Sequence, residues 1–204
     1  MMHVRFYTSG ICFSLSRSCA PGPRRTAYPT MIIRTDHAPS DAQLDIITQQ
    51  LGRTPRGLQA VSAEDRHGTP LALRVAPLVE GKPFPTLYWL CSRELTVALS
   101  HLEAEGVIKR LEAHLKDNEA LREAYRQSHE AYVQRRWALM TPQERDEIER
   151  LGFTKALTER GVGGISNWQQ VRCLHTQYAH HISDHNAIGA WVDEHYPQVA
   201  ESIG

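Results

Sequence analysis

The 204 residues are 41% hydrophobic and 23% charged, with a formal net charge of zero, an ordinary globular balance that can bury a core. A neutral chain lacks the basic excess of a general nucleic-acid binder, and no apolar run approaches the roughly 18 residues of a membrane span. The four cysteines, Cys12, Cys19, Cys91 and Cys173, are widely spaced with no C-x-x-C pair, so reduced thiols in a cytoplasm are expected rather than a disulfide scaffold.

Residues 1–30 read differently from the rest. They carry Arg5, Arg17, Arg24 and Arg25 and no acid, the first acidic residue being Asp36. Arg- and Ser-rich, acid-poor N-termini occur in transit peptides. The expectation here is a non-native or disordered extension, with translation starting at Met31 and one domain over 31–204. Without those four arginines the remainder is mildly acidic, and only Cys91 and Cys173 are left.

In chain order, "SDAQLDIITQQLG" opens on a Ser or Asp cap, spaces Leu44, Ile47 and Leu51 on one face and stops at Gly52, a short amphipathic helix. "RTPRG" is a basic turn. "GLQAVSA", "TPLALRVAPLV" and "TLYWLC" are expected strands, with "EGKPFP" as a connection. The text then turns helical. "SRELTVALSHLEAEG" aligns Leu95, Leu99 and Leu102, and "VIKRLEAHL" follows. A long helix is expected from an N-cap at Asp117, with Leu121, Tyr125, Ser128, Tyr132 and Arg136 on one face. "TPQE" is a capping box with Pro142 at N1. Asn167 with Gln170 is the next expected cap, opening a helix to about His185, and "NAIGAWVDEHYP" closes the chain. The fold class is α+β: a small antiparallel sheet followed by a mostly helical C-terminal half.

The segments "LGRTPRG", "KPFPTLYWLC", "LEAEGVIKRLE", "YRQSHEAYVQRR", "GVGGI" and "VRCLH…AH…N.IG" resemble, in order, a bacterial family catalogued as domain of unknown function 501. The resemblance covers roughly Ile46 to Gly189. It implies no reaction. It departs at "EDRHGTP", where a cysteine-bearing segment is expected and Arg66 and His67 stand instead.

Four of the chain's 11 histidines fall between His175 and His185, next to Cys173. The resemblance favours Cys173, His175 and His180 as the residues that matter. Helical spacing favours His181 with His185, an i, i+4 pair able to clamp zinc. Ile182 replaces the Glu of H-E-x-x-H, so this is no zincin. Cys173 and His180 would lie about 10.5 Å apart along a helix. A fold that brings Cys91 to Cys173, with His175 or His180 and His67 as a further ligand, would make a Cys2His2-type zinc site. The competing reading is a helix with a buried cysteine and solvated histidines. Cys173 beside an imidazole is also a candidate nucleophile.

Three more patches are candidate ligand sites. Tyr125, His129, Tyr132 and Arg136 form one helical stripe that would line an anion pocket. Arg53 and Arg56 flank a proline turn. Gly163 and Gly164 precede an expected helix N-terminus, a place that favours anions. Two readings follow. One is a cytoplasmic binding or regulatory module with a metal-stabilised Cys/His cluster. The other is a small enzyme acting on an anionic or phosphorylated small molecule, with His129, His175 or His180 as acid–base groups. The expected partners are an anionic small molecule or a protein, with no nucleic acid and no membrane.

Overall fold

Strands β1 (Ile32–His37), β2 (Leu58–Asp65), β3 (Pro70–Val75) and β6 (Tyr88–Leu90) pair antiparallel in the order β1-β2-β3-β6. A two-stranded ribbon, β4 (Leu78–Val79) and β5 (Lys82–Pro83), sits in the connection before β6. This is a computed structural model that describes residues 32–203; the expectations for residues 1–30 lie outside them. The helices are α1 (Asp41–Leu51), α2 (Arg93–Ala104), α3 (Val107–Asp117), α4 (Glu119–Leu139), α5 (Pro142–Arg150), α6 (Thr154–Glu159), α7 (Leu174–Ser183), α8 (Ala187–His195) and α9 (Gln198–Glu201), with a 3-10 turn over Val162–Gly164. A small antiparallel sheet thus precedes a mostly helical C-terminal half, as the sequence led us to expect.

Alternate strand residues face opposite sides of the sheet, and both sides are covered. Val61, Leu73 and the neighbouring Cys91 pack under Ile47 of α1. Ala63, Ala72, Tyr88 and Leu90 face the helical layer, where they join Leu95 and Leu99 of α2, Tyr132 of α4 and Tyr178 and Ile182 of α7. A third cluster, Met140, Ile148 and Leu157, closes the α4–α6 end. Helix α7 lies directly on β6 and also touches β1, β2 and β3.

The local rules account for most element ends. Ser40 and Gln43 form a reciprocal capping box on α1, which stops at left-handed Gly52. Thr141 and Glu144 do the same for α5 with Pro142 at its first position. Four features depart from the expected elements. Strand β1 was not anticipated, because "IIRTDH" is polar and half-exposed and lies at a sheet edge. Short α6 was also missed. The cap of α4 is Asn118, whose Oδ1 accepts from the Leu121 amide at 2.9 Å, while Asp117 ends α3. The cap pair at Asn167 and Gln170 closes only a turn, with the Gln170 amide donating to the Asn167 carbonyl. Helix α7 starts at Leu174 and ends at Ser183. His185 therefore lies beyond it, and His181 and His185 do not share a helical face.

A buried polar chain ties these helices together. Asn186 caps α8 by accepting from the Ile188 and Gly189 amides. Its Nδ2 donates to Gln177 Oε1 at 2.8 Å and to His180 Nδ1 at 3.1 Å. Gln177 Nε2 donates in turn to the Tyr125 hydroxyl, which donates to the Gln170 carbonyl. Asn186, Gln177 and His180 are fully buried, so each unmade bond would carry its full desolvation cost. Asn186→Ala removes a cap and orphans two partners; chemical denaturation is expected to record a loss of about 3 kcal/mol.

Candidate functional site

Glu103 sits in the last turn of α2, four residues beyond buried Leu99. It faces the start of α7. There Cys173 is the N-cap residue, extended at φ −157° and ψ 152°, and its side chain makes no cap bond. The first free amide of α7 is satisfied instead by Glu103, whose Oε1 accepts from Leu174 N at 2.5 Å. An anion at a helix N-terminus meets unpaired N–H groups and the positive end of the dipole.

His175, one residue further, has both ring nitrogens placed. Nε2 lies 3.2 Å from the Thr96 carbonyl and 3.2 Å from Ser100 Oγ. Ser100 already donates its hydroxyl proton to the Thr96 carbonyl at 2.7 Å. Nε2 therefore faces two acceptors and must carry a proton. Nδ1 is then the nitrogen with a lone pair to offer, and it faces Glu103 Oε1 at 3.1 Å. Two lone pairs this close repel unless a proton or a metal ion lies between them.

Cys173 completes the group. One ligand atom each from Glu103, Cys173 and His175 lie within 4.8 Å of one another, and this is the one such trio of potential metal ligands among the described residues. Burial acts to raise the Cys173 thiol, but hydrogen bonds with His175 and Thr176 outweigh it and leave it lowered. The bond to Cys173, working against burial and aided by Glu103, raises His175 to about 9. Free of metal, the trio holds a protonated imidazole beside a carboxylate and a thiol whose ionisation is eased.

The other residues proposed from sequence have separate partners. Cys91 is buried, donates to the Pro70 carbonyl at 3.3 Å, and burial pushes its thiol far up. His180 is fully buried against Tyr88 and Tyr132. Neither belongs to the trio. His67 sits in the β2–β3 turn, accepting from Arg66. His181 donates through Nε2 to Asp193 at 2.9 Å, with the ring of His185 6.0 Å away.

The stripe on α4 points inward. Arg136, 1% exposed, donates to the backbone carbonyls of Pro85, Leu157 and Arg160. The Tyr132 hydroxyl accepts from the Leu87 amide, and His129 Nδ1 accepts from the Val162 amide. Tyr125 is bonded as described above, and also borders a surface cleft with Arg122 and Trp168. So His129 and Arg136 bind loop backbone, while Cys173 and His175 turn to Glu103. Gly163 and Gly164 lie in the 3-10 turn, packed against Thr176 and Pro85, and α7 begins ten residues after Gly164. Gly161 is required by close approach, since a Cβ there would come within 2.0 Å of His129 Nδ1. Arg56 pairs with Glu80 at 3.0 Å. Arg53 lies over the ring of Trp89, 5.0 Å from its centre.

Trp89 borders a cleft of about 340 Å³ that reaches His175. Sequence reasoning missed Glu103 and this cleft. Glu103 looks like any surface acid of an amphipathic helix, and only the packing of α2 on α7 distinguishes it.

Comparison with known proteins decides the family. The chain belongs to the family described as "Protein of unknown function (DUF501)", which matches residues 61–194. That span contains the whole trio. No curated protein and no solved structure matches the chain. No helix among the described residues is long and apolar enough to cross a membrane.

The buried imidazoles set an acid limit. Burial lowers His129 to about 4, and burial with nearby cationic groups lowers His180 to about 3, from 6.5. Their neutral forms favour the fold above pH 6.5, and that contribution fades as the unfolded chain takes up protons below it. Stability is expected to fall by about 2 kcal/mol between about pH 6 and pH 5, since each proton bound only by the unfolded state contributes about 1.4 kcal/mol per pH unit. A flat denaturation midpoint over that interval would contradict the neutral assignment.

Proposed function

We propose that this is a metal-binding protein whose centre is Glu103, Cys173 and His175, with zinc as its ion. The observation that carries the reading is the His175 ring: its Nε2 proton is held by the Thr96 carbonyl while Nδ1 faces a carboxylate oxygen at 3.1 Å. A backbone carbonyl on the outer nitrogen is the usual support of a metal-bound imidazole, fixing tautomer and orientation. Thiolate with imidazole suits zinc, and three protein ligands leave a fourth position for water or a ligand. A tetrahedral ion with bonds of about 2.0–2.3 Å needs donor atoms roughly 3.3–3.8 Å apart, which the trio reaches with small side-chain movement. The protein then acts as a binding or regulatory module, in a cytoplasm that keeps Cys173 reduced.

A second reading rests on the lowered thiol beside the raised imidazole. It makes Cys173 the nucleophile of a small enzyme and His175 its acid–base partner. In such enzymes the orienting acid usually holds the imidazole nitrogen remote from the thiol. Here the carboxylate stands on Nδ1 while Nε2 takes a backbone carbonyl, the usual support of a metal-bound imidazole, which favours the metal.

Elemental analysis of the untagged full chain after dialysis against zinc is expected to find about one ion per chain. Cys173→Ser and His175→Ala should lose it, while Cys91→Ser and His181→Ala should keep it. A wild-type chain that holds no zinc, while iodoacetamide modifies Cys173 faster than a free thiol, would replace the metal centre with the nucleophile. Zinc lost only in His181→Ala would move the ion to another site.

A further inference from the structure

Four elements enclose the cleft beside the trio: the C-terminal end of α1, the end of β6 and the first turns of α2 and α7. Its apolar surface comes from Leu51, Trp89 and Leu90. A volume of about 340 Å³ is at the small end of the range of small-molecule sites. One cation lines it, and a second, Arg53, stands over the ring of the lining residue Trp89. Arg93, the first residue of α2, is exposed and has no acidic partner among the described residues. Arg53 is likewise free of an acid among those residues, and it is held in place by stacking on Trp89. A guanidinium so fixed loses little freedom when it binds an anion. The N-terminal amides of α2 add positive potential beside Arg93. One polar atom here is unmatched: Gln50 Oε1 is buried without a hydrogen-bond partner, and a buried acceptor is costly unless a donor meets it.

We propose that this cleft binds a small aromatic or similarly flat organic anion, a phosphate monoester or a carboxylate. Its flat body lies on Trp89, its anionic group lies between Arg93 and Arg53, and a donor reaches Gln50. The far end borders His175. The inference goes beyond the metal reading, because Arg53, Trp89 and Arg93 hold no ion and the ligand needs none.

The test is a titration of the metal-free full chain with phenyl phosphate, benzoate and phenol, followed by the indole N–H resonance of Trp89, which Trp89→Phe identifies. Phenyl phosphate or benzoate should shift that resonance saturably, and the tighter of the two names the anionic group. Phenol should not shift it. Arg93→Ala should weaken the anion at least about tenfold, the loss expected for a charge-assisted hydrogen bond. Arg56→Ala, whose side chain is paired with Glu80 outside the cleft, should leave the affinity unchanged. Absence of a saturable shift, equal binding of phenol, or an affinity indifferent to Arg93 would overturn the proposal. Repeating the titration with zinc added, on the wild-type chain and on Cys173→Ser, separates the two ideas, since the anion's affinity should be the same whether or not the ion is held.

Discussion

The carboxylate of Glu103 joins the two helices on which the site depends. It occupies the N-terminus of α7, where Cys173 provides no cap bond of its own, and it faces the imidazole of His175. An anion at a helix start contributes about 0.3–1 kcal/mol when exposed and up to about 2 kcal/mol when partly buried. That is a modest energy with a large geometric effect. Cys173 and His175 are two residues apart on the first turn of α7, so whatever fixes that turn fixes both. Thr96 and Ser100, one turn apart on α2, hold the other edge of the His175 ring. The centre is therefore a property of the α2–α7 contact rather than of either helix.

The stripe on α4 makes that contact possible from a distance. Residues 151–173 contain only α6 and the 3-10 turn as regular structure, so most of their backbone groups need partners from elsewhere. Arg136 binds the Leu157 and Arg160 carbonyls, His129 takes the Val162 amide and Tyr125 takes the Gln170 carbonyl. A buried cation without an acid is ordinarily costly. Here three carbonyl dipoles, including that of Pro85, and the Tyr132 ring surround Arg136. These side chains hold the loop that delivers Cys173 to Glu103. Their polar character, which in the sequence suggests a ligand pocket, serves the internal scaffold.

This division explains what could be read from the sequence. Periodicity and caps are local, so α1, α2, α5 and strands β2, β3 and β6 followed from spacing, as did the α+β order, whereas the polar edge strand β1 did not. The start of α7 did not, because its cap is a carboxylate 71 residues earlier in the chain and no local signal marks it. Asn167 looked like a cap because Asn favours turns and helix starts alike. Of the residues put forward for a metal, Cys173 and His175 lie together, while Cys91 and His180 are buried among other partners. Counting cysteines and histidines cannot find a carboxylate ligand, since acids are common on every exposed helix face.

Charge balance links the centre and the cleft. The first turns of α2 and α7 both border the cleft, in a chain whose formal charge is zero. Inside the trio, a carboxylate and a thiol of eased ionisation face one protonated imidazole. On the proposed reading, a divalent ion would displace that proton and the thiol's, leave His175 neutral and balance both anions, so the loaded centre would be uncharged and less costly to hold in a partly buried place. Arg93, which has no acidic partner among the described residues, would then remain as a positive charge in the cleft that His175 borders. The proposed ion and the proposed organic anion would use different residues, the trio for one and Trp89 with Arg93 for the other, so neither would have to displace the other.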